Sequence, residues 1–238
     1  MRGPKLIVVT DPGYPDRRVL EVIEAAGREL APGTLGVQLR DKSRPDAELV
    51  PFVKALREAT SKADAWLVFN VSLASVASSE ARLALAKEVG ADGVHLGASG
   101  VTIAQARAVC GAEAWISVAA HSDDAVRAAV TEGAQAALVS PVFPTLKTSL
   151  TWTPRGVEAL ASARGVAGGR LLLYALGGVT PENARACRGA GADGVAVIRA
   201  MLGAMDAGEA ARHFGWCFSG AGPADPRRFG RMRTGRTA

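Results

Sequence analysis

The sequence predicts one parallel (β/α)8 barrel of the TIM type, an α/β fold, and three observations carry that expectation. Eight short runs rich in Val, Ile and Leu recur along the 238 residues. Each is followed by an Ala-rich stretch with helical periodicity, the pattern of repeated βα units. No GxGxxG follows the first run, which argues against an open doubly wound sheet. With 48% of its residues hydrophobic, the chain can bury a sizeable core.

Taken in order, strands are expected at residues 5–10, 34–40, 65–70, 93–96, 114–119, 136–140, 170–175 and 194–198. The helices between and after them are expected at 16–31, 46–61, 79–89, 102–110, 122–132, 154–165, 181–189 and 207–217, with a short extra turn at 199–203. Asp46, Ser79, Thr102, Ser122, Thr153 and Thr180 are suited to cap the free N–H groups of helix starts, and Pro154 and Pro181 suit a first helical position. Three late strands are introduced by one kind of turn: Gly90-Ala91-Asp92-Gly93, Gly133-Ala134-Gln135-Ala136 and Gly191-Ala192-Asp193-Gly194. A helix ending on Gly and handing over to a buried strand explains that repetition, so Asp92 and Asp193 read as structural residues at the wrong end of their strands for catalysis.

The net charge of +5 is concentrated in the tail, where residues 219–238 hold five arginines and one acid, Asp225. The preceding 218 residues are therefore near neutral, and the domain organisation expected is a barrel over 1–218 followed by a disordered Arg-rich tail over 219–238. No specific nucleic-acid partner is implied. No apolar run approaches bilayer length, and the start at Met1-Arg2-Gly3-Pro4-Lys5 leads into a strand-like run, so a cytoplasmic protein without a membrane partner is expected. Cys110, Cys187 and Cys217 have neither disulfide-framework nor metal-ligand spacing and read as ordinary packing residues. The four tryptophans are scattered and also read as packing, with Trp152 in a polar loop as the one candidate to cover a ligand.

In such a barrel the strand ends and the loops after them share one cleft. Those positions hold Thr10-Asp11, then Gln38, Arg40 and Lys42, then Asn70, His95 and Ser99, His121 and Ser122. The late ones hold Ser140, Thr145, Lys147 and Thr148, Gly177-Gly178 and finally Arg199. Gln38, Arg40 and Lys42 alternate, so they share a face, and two cations on one face suit an anionic ligand such as phosphate. Surface pairing of Arg40 and Lys42 with Asp41 and Asp46 is the competing reading. Gly177-Gly178 allows close backbone approach, and a short turn at Arg199 offers N–H groups to a phosphate, although a tight turn would also explain the glycines. His95 and His121 read either as acid–base groups or as hydrogen-bonded structural residues.

At these positions the sequence resembles the thiamine phosphate synthase and thiazole tautomerase superfamily over nearly the whole barrel. The blocks that carry the likeness are Val8-Val9-Thr10-Asp11, Val37-Gln38-Leu39-Arg40-Asp41-Lys42, Gly90-Ala91-Asp92-Gly93-Val94-His95-Leu96-Gly97, Ser140-Pro141-Val142-Phe143-Pro144-Thr145, Gly177-Gly178-Val179-Thr180-Pro181-Glu182-Asn183-Ala184 and Ala190-Gly191-Ala192-Asp193-Gly194-Val195-Ala196-Val197-Ile198. The resemblance implies a transferase that expels pyrophosphate from a pyrimidine methyl pyrophosphate and captures the carbocation with a thiazole phosphate. By position, Gln38 would face the pyrimidine; Arg40, Lys42 and Asn70 would hold pyrophosphate; and Thr145, Gly178, Ile198 and Arg199 would line the thiazole phosphate pocket. Arg40, Lys42 and Lys147 are the catalytic candidates, and Ser99, His121, Thr148 and Gly177 join the substrate-binding set. The resemblance also implies Mg2+, phosphorylated small-molecule substrates and a homo-oligomer.

The sequence departs from the family pattern in ways that bear on the metal. Where the family has two metal-binding carboxylates, this chain has Val71 and Gly100, so no metal ligand is assigned. The stretch between Asn70 and His95 is longer than the pattern by about ten residues, which leaves Glu80 as a displaced candidate. Ala119 replaces the strand-five Ser, and Arg199 replaces a Ser. The alternatives are a metal-free tautomerase-like enzyme, whose catalytic His would fall at Pro141, or a catalytically impaired paralogue that binds thiazole or thiamine phosphate.

Overall fold

The computed structural model describes residues 2–97, 100–145 and 153–218. Over these the chain runs β1 (Leu6–Val9), α1 (Asp16–Glu29), β2 (Leu35–Leu39), α2 (Asp46–Lys62), β3 (Trp66–Asn70), α3 (Val76–Glu88), β4 (Gly93–Leu96) and α4 (Ile103–Cys110). It continues β5 (Trp115–Ala120), α5 (Asp123–Thr131), β6 (Ala136–Val139), α6 (Glu158–Ala167), β7 (Leu172–Leu176), α7 (Pro181–Gly189), β8 (Gly194–Val197), α8 (Arg199–Leu202) and α9 (Ala207–Phe218). The strands pair in sequence order, every pair is parallel, and β8 closes on β1. The expected (β/α)8 barrel is therefore the fold. The Arg-rich tail lies outside the described residues, as does Trp152.

Strand alternation divides the core in two. Leu6 and Val8, Val37 and Leu39, Leu67 and Phe69 pack outward with helix residues such as Val22, Val53 and Leu56. The intervening positions fill the barrel: Ile7, Val9, Val68, Trp115, Leu138, Tyr174 and Ala196 form a separate cluster. Its base is aromatic, with Trp115 set between Trp66 at 6.2 Å and Tyr174 at 6.0 Å. The Tyr174 hydroxyl donates to the Pro4 carbonyl at 2.8 Å, so the first residues plug the N-terminal end. Room for these rings comes from glycine: a Cβ on Gly93 would sit 2.1 Å from the Trp115 carbonyl oxygen, and one on Gly194 would sit 2.7 Å from the Tyr174 ring.

The three repeated turns do the structural work expected of them. Asp92 accepts the N–H of Leu67 at 2.7 Å, Gln135 that of Ile116 at 2.9 Å, and Asp193 that of Leu173 at 2.8 Å. In each case the residue before a strand fastens the strand that precedes it in the ring, which pins the register. Arg57 and Arg164 close ion pairs on Asp92 and Asp193.

Strand boundaries fall within two residues of expectation, whereas several helix starts differ. Thr102 and Ser122 cap as expected, and Thr180 opens a capping box with Asn183. Helix α2 instead has Pro45 at the cap position, and Asp46 turns to Arg82. Helix α3 starts three residues early because Ser75 caps it, accepting the Ser78 N–H at 3.1 Å. Ser79 lies inside that helix and donates to the Ser75 carbonyl at 2.9 Å. Helix α6 starts late, at Glu158, so Thr153 and Pro154 do not open it. The cause is local: Arg155 and Gly156 donate back to the Pro141 and Val142 carbonyls at 2.9 and 3.0 Å, and Gly156 takes φ +69°.

Asp193→Ala is expected to lower the unfolding free energy by about 2 kcal/mol, because the Leu173 N–H loses its side-chain acceptor. Urea unfolding measures the loss, and ligand binding at the far end of the barrel should be unchanged.

Candidate active site at the C-terminal rim

A closed ring of parallel strands puts all eight C-terminal ends on one rim, and the inward positions there are polar. Gln38, Asn70, His95, Ser117 and Ser140 are all buried at or near those ends. The register sets Asn70 beside His95 and His95 beside Ser117, so the three form a row across β3, β4 and β5. Gln38 is 2% exposed and its Nε2 has no hydrogen-bond partner among the described residues. A buried amide donor left unmatched costs stability.

The end of β2 is held by its neighbour on β1. Thr10 Oγ1 accepts the Arg40 N–H at 2.8 Å and donates to the Arg40 carbonyl at 3.2 Å. The surface pairing of Arg40 with Asp41 or Asp46 is not formed among the described residues, and both acids have other partners. Asp41 is buried, accepting from the Ser43 N–H and hydroxyl at 2.8 Å and from Arg44 Nε at 2.7 Å. Burial alone would raise its pKa, but the bonds from Arg44 and Ser43 outweigh burial and bring it down to about 2. Arg44 also grips Asp16 through two bonds of 2.8 Å. Asp46 is taken by Arg82, whose Nε lies 2.5 Å away and whose Nη1 donates to the Asp41 carbonyl at 3.1 Å. Arg40 forms no ion pair among the described residues.

Sequence reasoning missed Arg82, a guanidinium only 1% exposed inside a helix that reads as ordinary and Ala-rich. Its length and its place in the second turn of α3 carry it to the segment that bears Arg40 and Lys42. The segment between Asn70 and His95 consists of the connection 71–75, α3 and the turn into β4, and Glu80 is exposed on that helix.

The two histidines differ. His95 Nδ1 lies 2.9 Å from the Ser117 hydroxyl. Burial, with added repulsion from Lys42, His121 and Arg40, pushes its pKa from 6.5 down to about 3, so the ring is neutral at neutral pH. His121 Nδ1 lies 2.8 Å from the Ser140 carbonyl, which can only accept, so Nδ1 carries the proton. In the neutral ring Nε2 is then the basic nitrogen.

The glycine pair after β7 serves the neighbouring loop. Phe143 donates to the Gly177 carbonyl at 2.9 Å, and a Cβ on Gly178, at φ +63°, would meet the Pro144 carbonyl oxygen at 2.4 Å. Asn183 Nδ2 donates to the Gly178 carbonyl at 3.0 Å. Thr145 follows directly on this packed loop, and Ile198 and Arg199 lead from β8 into α8. Ser99, Lys147 and Thr148 lie outside the described residues.

The model of the thiamine monophosphate synthase family (TMP-TENI) matches residues 6–201. The chain belongs to that family. It is 35% identical to the thiamine-phosphate synthase of Moorella thermoacetica over 206 residues, covering 87% of this chain and 91% of the relative. It is 36% identical to that of Methanoculleus marisnigri over 213 residues, covering 88% and 93%. The solved thiamine phosphate pyrophosphorylase of Pyrococcus furiosus superposes with a TM-score of 0.72 at 28% identity, over 90% of this chain and 95% of that one. By family the chain is a thiamine-phosphate synthase-like transferase.

Two measurements check the site's construction. Arg82→Ala should cost about 3 kcal/mol, toward the low end for a broken buried pair because Asp46 keeps 27% of its side-chain surface. For His95, the depressed folded-state pKa means its contribution is fully present above pH 6.5 and is lost as pH falls toward 3. Between pH 7 and 4.5, above the range in which Asp41 titrates, the wild type should lose about 2 kcal/mol more stability than His95→Gln, read as urea midpoints.

Proposed function

We propose that this chain joins hydroxymethylpyrimidine pyrophosphate to a thiazole phosphate and releases pyrophosphate. The observation that carries the reading is Arg40, delivered to the rim by Thr10 while Asp41 and Asp46 are bound elsewhere. A guanidinium without an internal acid is matched by an anion from outside.

The C–O bond between the pyrimidine methylene and pyrophosphate breaks, its electron pair leaving with pyrophosphate. The thiazole nitrogen then gives its lone pair to the resulting cation and forms the C–N bond. Arg40, Lys42 and Asn70 receive the leaving group, and Lys147 adds a further cation. The buried Nε2 of Gln38 meets an acceptor on the pyrimidine ring, which supplies its missing partner. Thr145, Gly178, Ile198 and Arg199 receive the thiazole phosphate, with Ser99, His121, Thr148 and Gly177 completing the lining. His95 supports the floor in its neutral form, so it adds no positive charge beneath the carbocation. The chain is taken to work as a homo-oligomer, as the resemblance implies.

Pyrophosphate should be released only when both substrates are supplied, measured by a coupled phosphate assay. Turnover of a carboxythiazole phosphate alone would point to the tautomerase reading instead. Arg40→Ala should weaken the pyrimidine pyrophosphate by about tenfold and the thiazole monophosphate by much less, read from Kd values. Equal losses for both ligands would overturn the assignment of Arg40.

A further inference from the structure

The resemblance implies a magnesium ion against the pyrophosphate, and the donor set at the rim does not fit one. Magnesium is anchored by carboxylate oxygens and demands near-octahedral geometry. Among the described residues no three or more His, Cys, Asp or Glu side chains come together as a metal site. The position after Asn70 is Val71, 1% exposed in the apolar core, with its N–H donated to the His95 carbonyl at 3.0 Å. Position 100 is glycine at φ +107°, where an L side chain is strained. A carboxylate at 71 would be buried in the apolar core, and one at 100 would strain the backbone.

The remaining rim does not make up the deficit. Asp41 is enclosed by Ser43 and Arg44, and Asp11 accepts the Gly13 N–H at 2.9 Å. Segments 98–99 and 146–152 read Ala-Ser and Leu-Lys-Thr-Ser-Leu-Thr-Trp, so they bring no carboxylate in any conformation. The stretches after the eight strands (10–15, 40–45, 71–75, 97–102, 121–122, 140–157, 177–180 and 198–199) hold six cations and two acids, Asp11 and Asp41. Two of those cations are matched, Arg44 by Asp16 and Asp41 and Arg155 by Asp123 at 3.6 Å. Arg40 forms no ion pair among the described residues, and Lys42, Lys147 and Arg199 complete the count of six.

Resting on the site reading above, we infer that this rim holds pyrophosphate and neutralises its charge with side-chain cations led by Arg40, without a protein-held divalent ion. Magnesium then competes with those cations for the same phosphate oxygens and lowers the charge they attract, so it does not improve binding.

Calorimetric titration of inorganic pyrophosphate into the full chain, once in EDTA and once in excess Mg2+, separates the outcomes. The Kd in EDTA is expected to equal or undercut the Kd in Mg2+. Binding in EDTA should weaken with added salt and fall about tenfold in Arg40→Ala. Tightening by Mg2+ beyond about threefold overturns the inference and leaves the pyrophosphate site standing. Absence of binding in both buffers overturns the site reading, and this inference with it.

Discussion

Closure of the parallel sheet is the constraint on which the molecule depends. Once β8 pairs with β1, every strand enters at one rim and leaves at the other, and no edge remains to be protected. The entering rim is then free to serve stability alone. It does so through Asp92, Gln135 and Asp193, each fastening a neighbouring strand, and through an aromatic base sealed by Pro4. The leaving rim receives whatever polar groups the strands deliver, and it can keep them unmatched because the base carries the register. An orphan amide at Gln38 is tolerable in a ring that cannot slip.

The loop that carries the cations is stiffened at some cost. Arg82 and Asp41 are both nearly excluded from solvent, and burial of charge is unfavourable unless each group is fully matched. Arg82 is matched by Asp46 and by the Asp41 carbonyl; Asp41 is matched by Ser43 and Arg44, and Arg44 in turn by Asp16. This chain of contacts joins the starts of α1 and α2 to the first turns of α3. Its effect is to spend Asp16, Asp41 and Asp46 on structural partners, while Arg40 forms no ion pair among the described residues. Positioning a cation and depriving it of an internal partner are thus the same construction.

Much of this was legible in the sequence because the signals are short-ranged. Strand alternation alone set Gln38 and Arg40 on the inward face, and the Gly-Ala-x-Gly/Ala turns announced their structural role. Helix starts were harder. Asp46 has the chemistry of a cap but meets Arg82, a contact 36 residues away that no local pattern encodes. Ser75 and Ser79 are both plausible caps by type, and only the packing of residue 73 against Ser79 decides between them. The start of α6 was obscured because Arg155 and Gly156 bond to a loop rather than to the next helical turn. The glycine pair, read as room for a ligand, turned out to accommodate Phe143 and Pro144 as well.

The rim and the floor beneath it differ in charge, and that difference suits a reaction that separates charge. A leaving anion needs cations close by, yet a carbocation formed in the same cleft is destabilised by any cation beneath it. The strands offer a solution: the cations lie on the loops that follow the strands, while the buried strand residues Gln38, Asn70, His95 and Ser117 are neutral. His95 is the group that could spoil this, since imidazole lies nearest to protonation at neutral pH. Burial keeps it uncharged, and the neighbouring Lys42 and Arg40 reinforce that effect. Lys42 and Arg40, the cations proposed above to receive the anion, therefore also help to keep the floor neutral.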